Sequence, residues 1–220
     1  FCAMLTVLSS EIRFFAKPQN VACNAMTIPQ TKQIINLLKN KGVEFGDGLS
    51  DSELLDIEKR FVIKFPPDLK RFLQTQLPIS DQFINWRQGL HDKKTEEDII
   101  DIIGWPLEGI LWDIKNGSWL SIWGERPENK EHQIALAKLR FAHVPKMVPV
   151  CGYRFIPSEP NLVGNPIFSV HQTDIIYYGF DLASYLAHEF NFKLNDSFQI
   201  INKPNRKIEF WTWCVENMHP

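Results

Sequence analysis

From Met26 onward, apolar residues return every three to four positions, the spacing of an amphipathic helix. Ile34, Ile35, Leu37 and Leu38 predict a helix over residues 29–41, closed by Gly42. Ser50 and Glu53 form an S-x-x-E capping box, in which each side chain satisfies an unpaired backbone N–H. Leu49 and Leu54 are placed to staple that cap, and Leu54, Ile57 and Phe61 continue the apolar stripe. This helix is expected to stop before Phe65-Pro66, because a residue that precedes proline avoids the helical region. Pro66 or Pro67 then fits the first turn of a third helix, with Leu69, Phe72 and Leu73 inward. Residues 83–86 read as a short strand. Thr95 and Asp98 give a second capping signal ahead of Ile99, Ile102 and Ile103. Pro106 is expected to interrupt that helix, and the pattern resumes at Ile110, Leu111 and Ile114 before the Asn116-Gly117 turn. Trp119, Leu120, Ile122 and Trp123 are too closely spaced to assign by period. Ile134, Ala137 and Phe141 predict a helix over 131–142.

Beyond residue 146 the period shortens. Met147, Val148, Val150 and Cys151 form an apolar run punctuated by Pro149, which favours a strand start or an edge strand. Residues 153–156 extend that run, and 157–166 is a loop rich in turn formers. Residues 167–170 and 174–178 predict a hairpin, ended by Gly179. Asp181 caps a further helix with Leu182, Tyr185, Leu186 and Phe190 inward. Phe210, Trp211 and Trp213 are placed to pack back on the domain. Helices predominate in the N-terminal half and strands with tight antiparallel connections follow, so the expected class is α+β, a mostly antiparallel sheet flanked by helices. No β-α-β alternation points to a doubly wound sheet.

Composition adds constraints. Among 220 residues, 44% are hydrophobic and 23% charged, ordinary values for a globular chain, and the formal net charge is −2. The densest basic group, Lys203, Arg206 and Lys207, sits beside Glu209 and reads as a solvated loop, so a nucleic-acid partner is not expected. No apolar run reaches the length of a membrane span, so no membrane partner is expected. Cys2, Cys23, Cys151 and Cys214 show neither C-x-x-C nor finger-like spacing, which predicts reduced thiols, a cytoplasmic setting and no structural metal. Residues 1–25 lack a clean period and read as a flexible or non-native leader, with Met26 as the natural start of a single domain over 26–220. The small-residue stretch "VACNAM" leaves an exported alternative open.

Motifs for chemistry do not surface. The chain holds no glycine-rich phosphate loop, no G-x-S-x-G elbow and no H-E-x-x-H. Cys151 with His171 or His188 is the one nucleophilic arrangement worth weighing, and burial of Cys151 within an apolar strand is the favoured reading. The chain is therefore expected not to be an enzyme and to need no cofactor. Four of its seven tryptophans, Trp105, Trp112, Trp119 and Trp123, fall in one central stretch. Tryptophan serves both cores and interface hot spots, and Trp112 is a candidate for partner binding. Arg154, Ser158, Glu159, Asn161 and Asn165 fall in or beside the 157–166 loop. They either shape turns, with Arg154 paired to a nearby carboxylate, or form a polar rim that recognises a partner or small ligand.

Two segments carry a family resemblance. "LSDSELLDIEKRFVIKFPPDLKRFL" is similar to the helix and P-x-x-L region of the SUKH superfamily. "VPVCGYRFIPSEPNLVGNPIFSVHQTDIIYYGFDLASYLAHEF" resembles the R-[YF]-I-P, GNP-[VI]-F-S-V and D-I-I-Y-Y-G-x-D-L pattern of a bacterial subgroup. Together they cover most of residues 49–190. Tyr153 stands where that subgroup carries histidine, and Thr75-Gln76-Leu77-Pro78 replaces its Asn-Gly turn. The resemblance implies a mixed fold and a role in binding another protein, such as a toxin domain to be neutralised. The alternative it implies is a regulator or scaffold of the yeast cell-wall assembly type. It brings no catalytic residues, and among matching positions it points to Arg154, Ser158, Glu159, Asn161 and Asn165 as partner-binding candidates.

Overall fold

A computed structural model describes residues 26–199 and 201–218. The leader reading of 1–25, with Cys2 and Cys23, lies outside these residues.

The first layer is helical. α1 (Ile28–Lys39) opens on a T-x-x-Q capping box, Thr27 with Gln30, and buries Ile34, Ile35 and Leu38. Gly42, at φ +86°, reverses the chain as expected. A three-residue strand, β1 (Phe45–Asp47), leads to α2 (Asp51–Arg60). The Ser50–Glu53 box is present at α2, and Leu49 and Leu54 are both buried. α3 (Pro67–Thr75) starts with Pro66 at the N-cap and Pro67 in the first turn. β2 (Gln76–Pro78) then pairs antiparallel with β1, a two-stranded sheet that three-residue runs do not announce in sequence. Arg87 fastens this unit. Its Nε lies 2.5 Å from Glu53 Oε1, and its Nη atoms donate to the carbonyls of Asp47 and Gly48 at 2.9 Å.

Residues 83–86 do not form a strand. Phe83 makes only an isolated bridge to Cys151, and the chain turns there. Ile84 and Trp86 are buried by side-chain packing, Trp86 edge-on to Phe61 and Phe65, so the apolar run marked burial and not extension.

α4 (Lys93–Lys115) is a single helix with Pro106 inside it. The expected interruption does not occur. A mid-helix proline costs about 3 kcal/mol, and burial of Ile99, Pro106, Ile110, Leu111 and Ile114 on one face offsets it. Asp92 is the N-cap and accepts from Thr95 N at 2.8 Å, so Thr95 is a first-turn residue instead of the cap. Residues 121–123 form a short 3-10 turn, and α5 (Lys130–Phe141) follows.

The main sheet comes from β3 (Met147–Cys151), β4 (Arg154–Pro157), β5 (Ile167–His171) and β6 (Asp174–Gly179), in that order and all antiparallel. Pro149 lies on the edge strand, where its missing N–H is tolerated. Gly152, at φ +51°, and Tyr153 turn the chain between β3 and β4, so the run expected to extend β3 over 153–156 instead enters a second strand at Arg154. α6 (Leu182–Glu189) carries the Asp181 cap, and α7 (Glu209–Asn217) buries Phe210, Trp211 and Cys214.

The protein is thus α+β, with seven helices and two antiparallel sheets among the described residues. Side-chain alternation sends Phe155, Phe168, Val170 and Ile175 to one sheet face, against Ile110, Leu111 and Ile114 of α4, Ala137 of α5 and Trp211 of α7. A second core joins Val148, Val150 and Ile156 to α1, α2, α3 and α6. No helix among the described residues is long and apolar enough to cross a membrane.

Candidate functional site

The register places Arg154, Ser169 and Ile176 side by side on the sheet face opposite α4. Arg154 Nη1 donates to Ser169 Oγ at 2.9 Å, and its guanidinium lies 3.6 Å from the Tyr178 ring centroid. Glu189 Oε2, at the end of α6, stands 3.4 Å from Arg154 Nε. His188 packs edge-on against Tyr178 at 5.0 Å. Arg154 is therefore engaged on three sides. Its one side-chain hydrogen bond is the one from Nη1 to Ser169, and Nε, though beside Glu189, is buried without a hydrogen-bond partner.

The 157–166 loop works mainly inward. Ser158 is buried, accepts from Lys64 N at 3.2 Å and donates to Lys64 O at 2.9 Å. Asn165 is fully buried, donates to Pro157 O and Pro160 O at 2.9 Å, and accepts from Arg206 Nη1 at 2.7 Å. Asn161 is exposed, yet its amide donates to Phe65 O at 3.0 Å. Asp68 of α3 completes the latch by accepting from Gly164 N at 2.5 Å. Its other carboxylate oxygen has no hydrogen-bond partner, and burial raises its pKa. The polar-rim expectation is corrected for Ser158 and Asn165. Their side chains satisfy backbone groups of the segment before α3 and of the loop itself, which hides them from any partner. Glu159, next to a cis Glu159-Pro160 bond, remains exposed at the loop tip.

The exposed aromatic surface lies elsewhere. Trp105 and Trp112 of α4 are 38% and 53% exposed, and Tyr153, in the β3–β4 turn, is 50% exposed. Trp105 and Tyr153 pack with ring centroids 5.0 Å apart, and Tyr153 meets His171 edge-on at 5.8 Å. Between the two indoles, on the same helical stripe, sits Gly109. A Cβ there would stand 2.8 Å from Gln172 Cα, so only glycine lets the β5–β6 turn close on α4. One turn further, Asp113 Oδ2 accepts from Thr173 N at 2.8 Å and from Thr173 Oγ1 at 2.6 Å. The two hairpin turns are thus fixed against α4, and the aromatic rings stand on backbone that is tied from both sides.

Of the other tryptophans in the central stretch, Trp123 is buried and stacks on Phe210 at 5.5 Å. Trp119 is half-buried and donates to Gly124 O at 2.9 Å. The central tryptophans therefore divide between core and surface. Trp105, Tyr153 and His171 were not singled out from sequence as surface candidates. The spacing of seven between Trp105 and Trp112, with Asp98, Asp101 and Glu108 on the same stripe, was the available signal.

Cys151 has the character of a core thiol. Burial pushes its pKa to about 11, and the buried Tyr185 hydroxyl beside it is also raised by burial. A thiol so shifted is a poor nucleophile at neutral pH. Cys214 is likewise buried and pushed up to about 12. No hydrogen bond joins Cys151 to a histidine among the described residues: His171 packs on Tyr153 and His188 on Tyr178.

The chain matches no protein-family model, no curated protein and no solved structure.

Proposed function

We propose that this chain is a protein-binding module of the SUKH type, and that it acts in the cytoplasm as an immunity protein that neutralises a toxin domain by direct binding. The observation that carries the reading is the exposed pairing of Trp105 with Tyr153, with Trp112 two turns along the same helix. Aromatic side chains bury large areas on association at small entropic cost, and they dominate interface energetics when their scaffold is rigid. Here Gly109 and Asp113 supply that rigidity by locking the β5–β6 turn to α4. Residues of the 157–166 loop support the same reading indirectly, since Ser158 and Asn161 bond to Lys64 and Phe65 and so hold together the two segments that resemble the family.

Co-expression with the toxin encoded beside its gene tests the proposal. The expected result is growth rescue and co-purification of the two chains. Growth arrest in cells that contain ample folded protein would overturn the immunity role and leave the regulatory or scaffolding alternative standing.

A further inference from the structure

We infer that the solvent stripe of α4 docks a cationic, Lys- and Arg-bearing face of a partner protein. The inference rests on the protein-binding reading above and specifies the partner's chemistry. Asp98, Asp101, Trp105, Glu108 and Trp112 follow one another at spacings of three and four, so they form one continuous face, and all five are exposed. Asp98, Asp101 and Glu108 form no ion pair among the described residues. Six other acids do pair with cations: Glu53 with Arg87, Glu58 with Lys64, Glu96 with Arg60, Glu97 with Lys93, Glu189 with Arg154 and Glu216 with Lys207.

Two classes of occupant are disfavoured by this chemistry. Nucleic acid and anionic membranes are repelled by three unpaired carboxylates. A purely apolar surface would cover the indoles but leave the carboxylates desolvated without a partner, at substantial cost. A cationic face satisfies both kinds of group. Lysine and arginine pair with the carboxylates, and the indole faces attract the same cations through their quadrupoles. The complementary charge also speeds encounter and selects among partners.

The test uses the full chain, isotope-labelled, with the Trp105 and Trp112 indole N–H signals assigned by phenylalanine substitution. The probes are a short peptide alternating lysine and arginine with glycine, its glutamate counterpart and its glutamine counterpart. The cationic peptide is expected to move both indole signals, with affinity about tenfold weaker in D101K/E108K and falling with added salt. Asp56, exposed on α2 and remote in sequence, provides the control: D56K is expected to bind as the wild type does. Equal binding of the glutamate or glutamine peptide, unmoved indoles, or indole shifts driven by chain concentration alone, which would mark a second copy as the occupant, each overturns the inference. The co-expression assay separates the two levels. Full rescue by D101K/E108K and by W112A would sink the α4 surface while the binding role stands. Failure of the wild-type chain to rescue would sink the immunity role alone, and the peptide titration then decides the α4 surface by itself.

Discussion

Trp105 lies tilted over Tyr153, with ring centroids 5.0 Å apart and planes at 30°, and this contact joins α4 to the turn between β3 and β4. Both rings keep a large exposed area, so the pair serves packing on one side and presents a surface on the other.

That dual role predicts a modest coupling. W105A and Y153A are each expected to lower stability by about 1 kcal/mol, and the double-mutant cycle to return about 0.5–1 kcal/mol of interaction energy. Urea unfolding of the four proteins measures it. Strict additivity would mean that the rings adjoin without stabilising one another.

The local rules written into the sequence survive folding where the energetics are local. The Ser50–Glu53 box, the Asp181 cap, the Gly42 stop and the 167–178 hairpin all depend on residues within a few positions of each other, and all are in place. The readings that failed depended on distant partners. Pro106 was expected to end a helix, but its buried face outweighs the lost hydrogen bond. The 83–86 run was apolar because Trp86 packs on Phe61 and Phe65, a contact across sequence that period analysis does not see. Ser158 and Asn165 looked like surface recognition residues because turn formers are usually exposed. Their bonding partners, Lys64 and Arg206, lie far away along the chain. The candidate surface suffered the same blindness in reverse: Trp105 and Tyr153 are 48 positions apart.

The Glu53–Arg87 pair makes stability acid-sensitive. The Arg87 guanidinium, with the Ser50 N–H, holds the Glu53 carboxyl down at about 2, from an ordinary 4.5. A depressed carboxylate stabilises the fold above its unfolded pKa, and that contribution is lost as pH falls from about 4.5 toward about 2. After allowance for partial exposure of the pair, it amounts to about 1–2 kcal/mol. E53Q is expected to be less stable than wild type by this amount at pH 7, with the gap closing at low pH in thermal or urea unfolding. A gap independent of pH would contradict the assignment.

Asp68 works with the opposite sign. Burial raises its pKa, with only Gly164 N donating to it, so the folded state holds a proton more readily than the unfolded chain. Its ionisation therefore weakens the fold as pH rises through the elevated value. The wild type is expected to gain stability relative to D68N as pH falls from neutral through that value to the ordinary 3.8, below which the gain is complete. Paired unfolding curves at several pH values measure the change. A difference that stays flat, or moves toward D68N on acidification, would count against a strained buried carboxylate in the loop latch.

Buried thiols give a chemical check on the non-enzymatic reading. With Cys151 at about 11 and Cys214 at about 12, neither is ionised near neutrality and both are covered. In the native protein, modification of these two thiols by a thiol-disulfide reagent is expected to be slow and limited by unfolding, and to become fast in denaturant. Rapid labelling of Cys151 in the folded chain would reopen the case for a thiol nucleophile.

Two glycines of α4 provide the sharpest test of how the aromatic surface is supported. Helix propensity alone favours alanine over glycine by about 0.5–1 kcal/mol at an interior position. At Gly104 an added Cβ meets nothing within 4 Å, so G104A is expected to stabilise by roughly that amount. At Gly109 the same methyl group would stand 2.8 Å from Gln172 Cα and 3.0 Å from Gln172 N, which are backbone atoms that no rotamer change can move aside. The hairpin turn must then lift off α4 and stretch the Asp113–Thr173 hydrogen bonds. G109A is therefore expected to destabilise by about 1–3 kcal/mol in spite of its better propensity. If the α4 surface binds the partner, G109A should also weaken binding more than G104A does, because the Gln172–Thr173 turn is held beside both indoles. Unfolding curves fix the signs of the two stability changes, and calorimetric titration with the partner fixes the order of the two affinities. A stabilised G109A would mean that the turn is not seated on the helix.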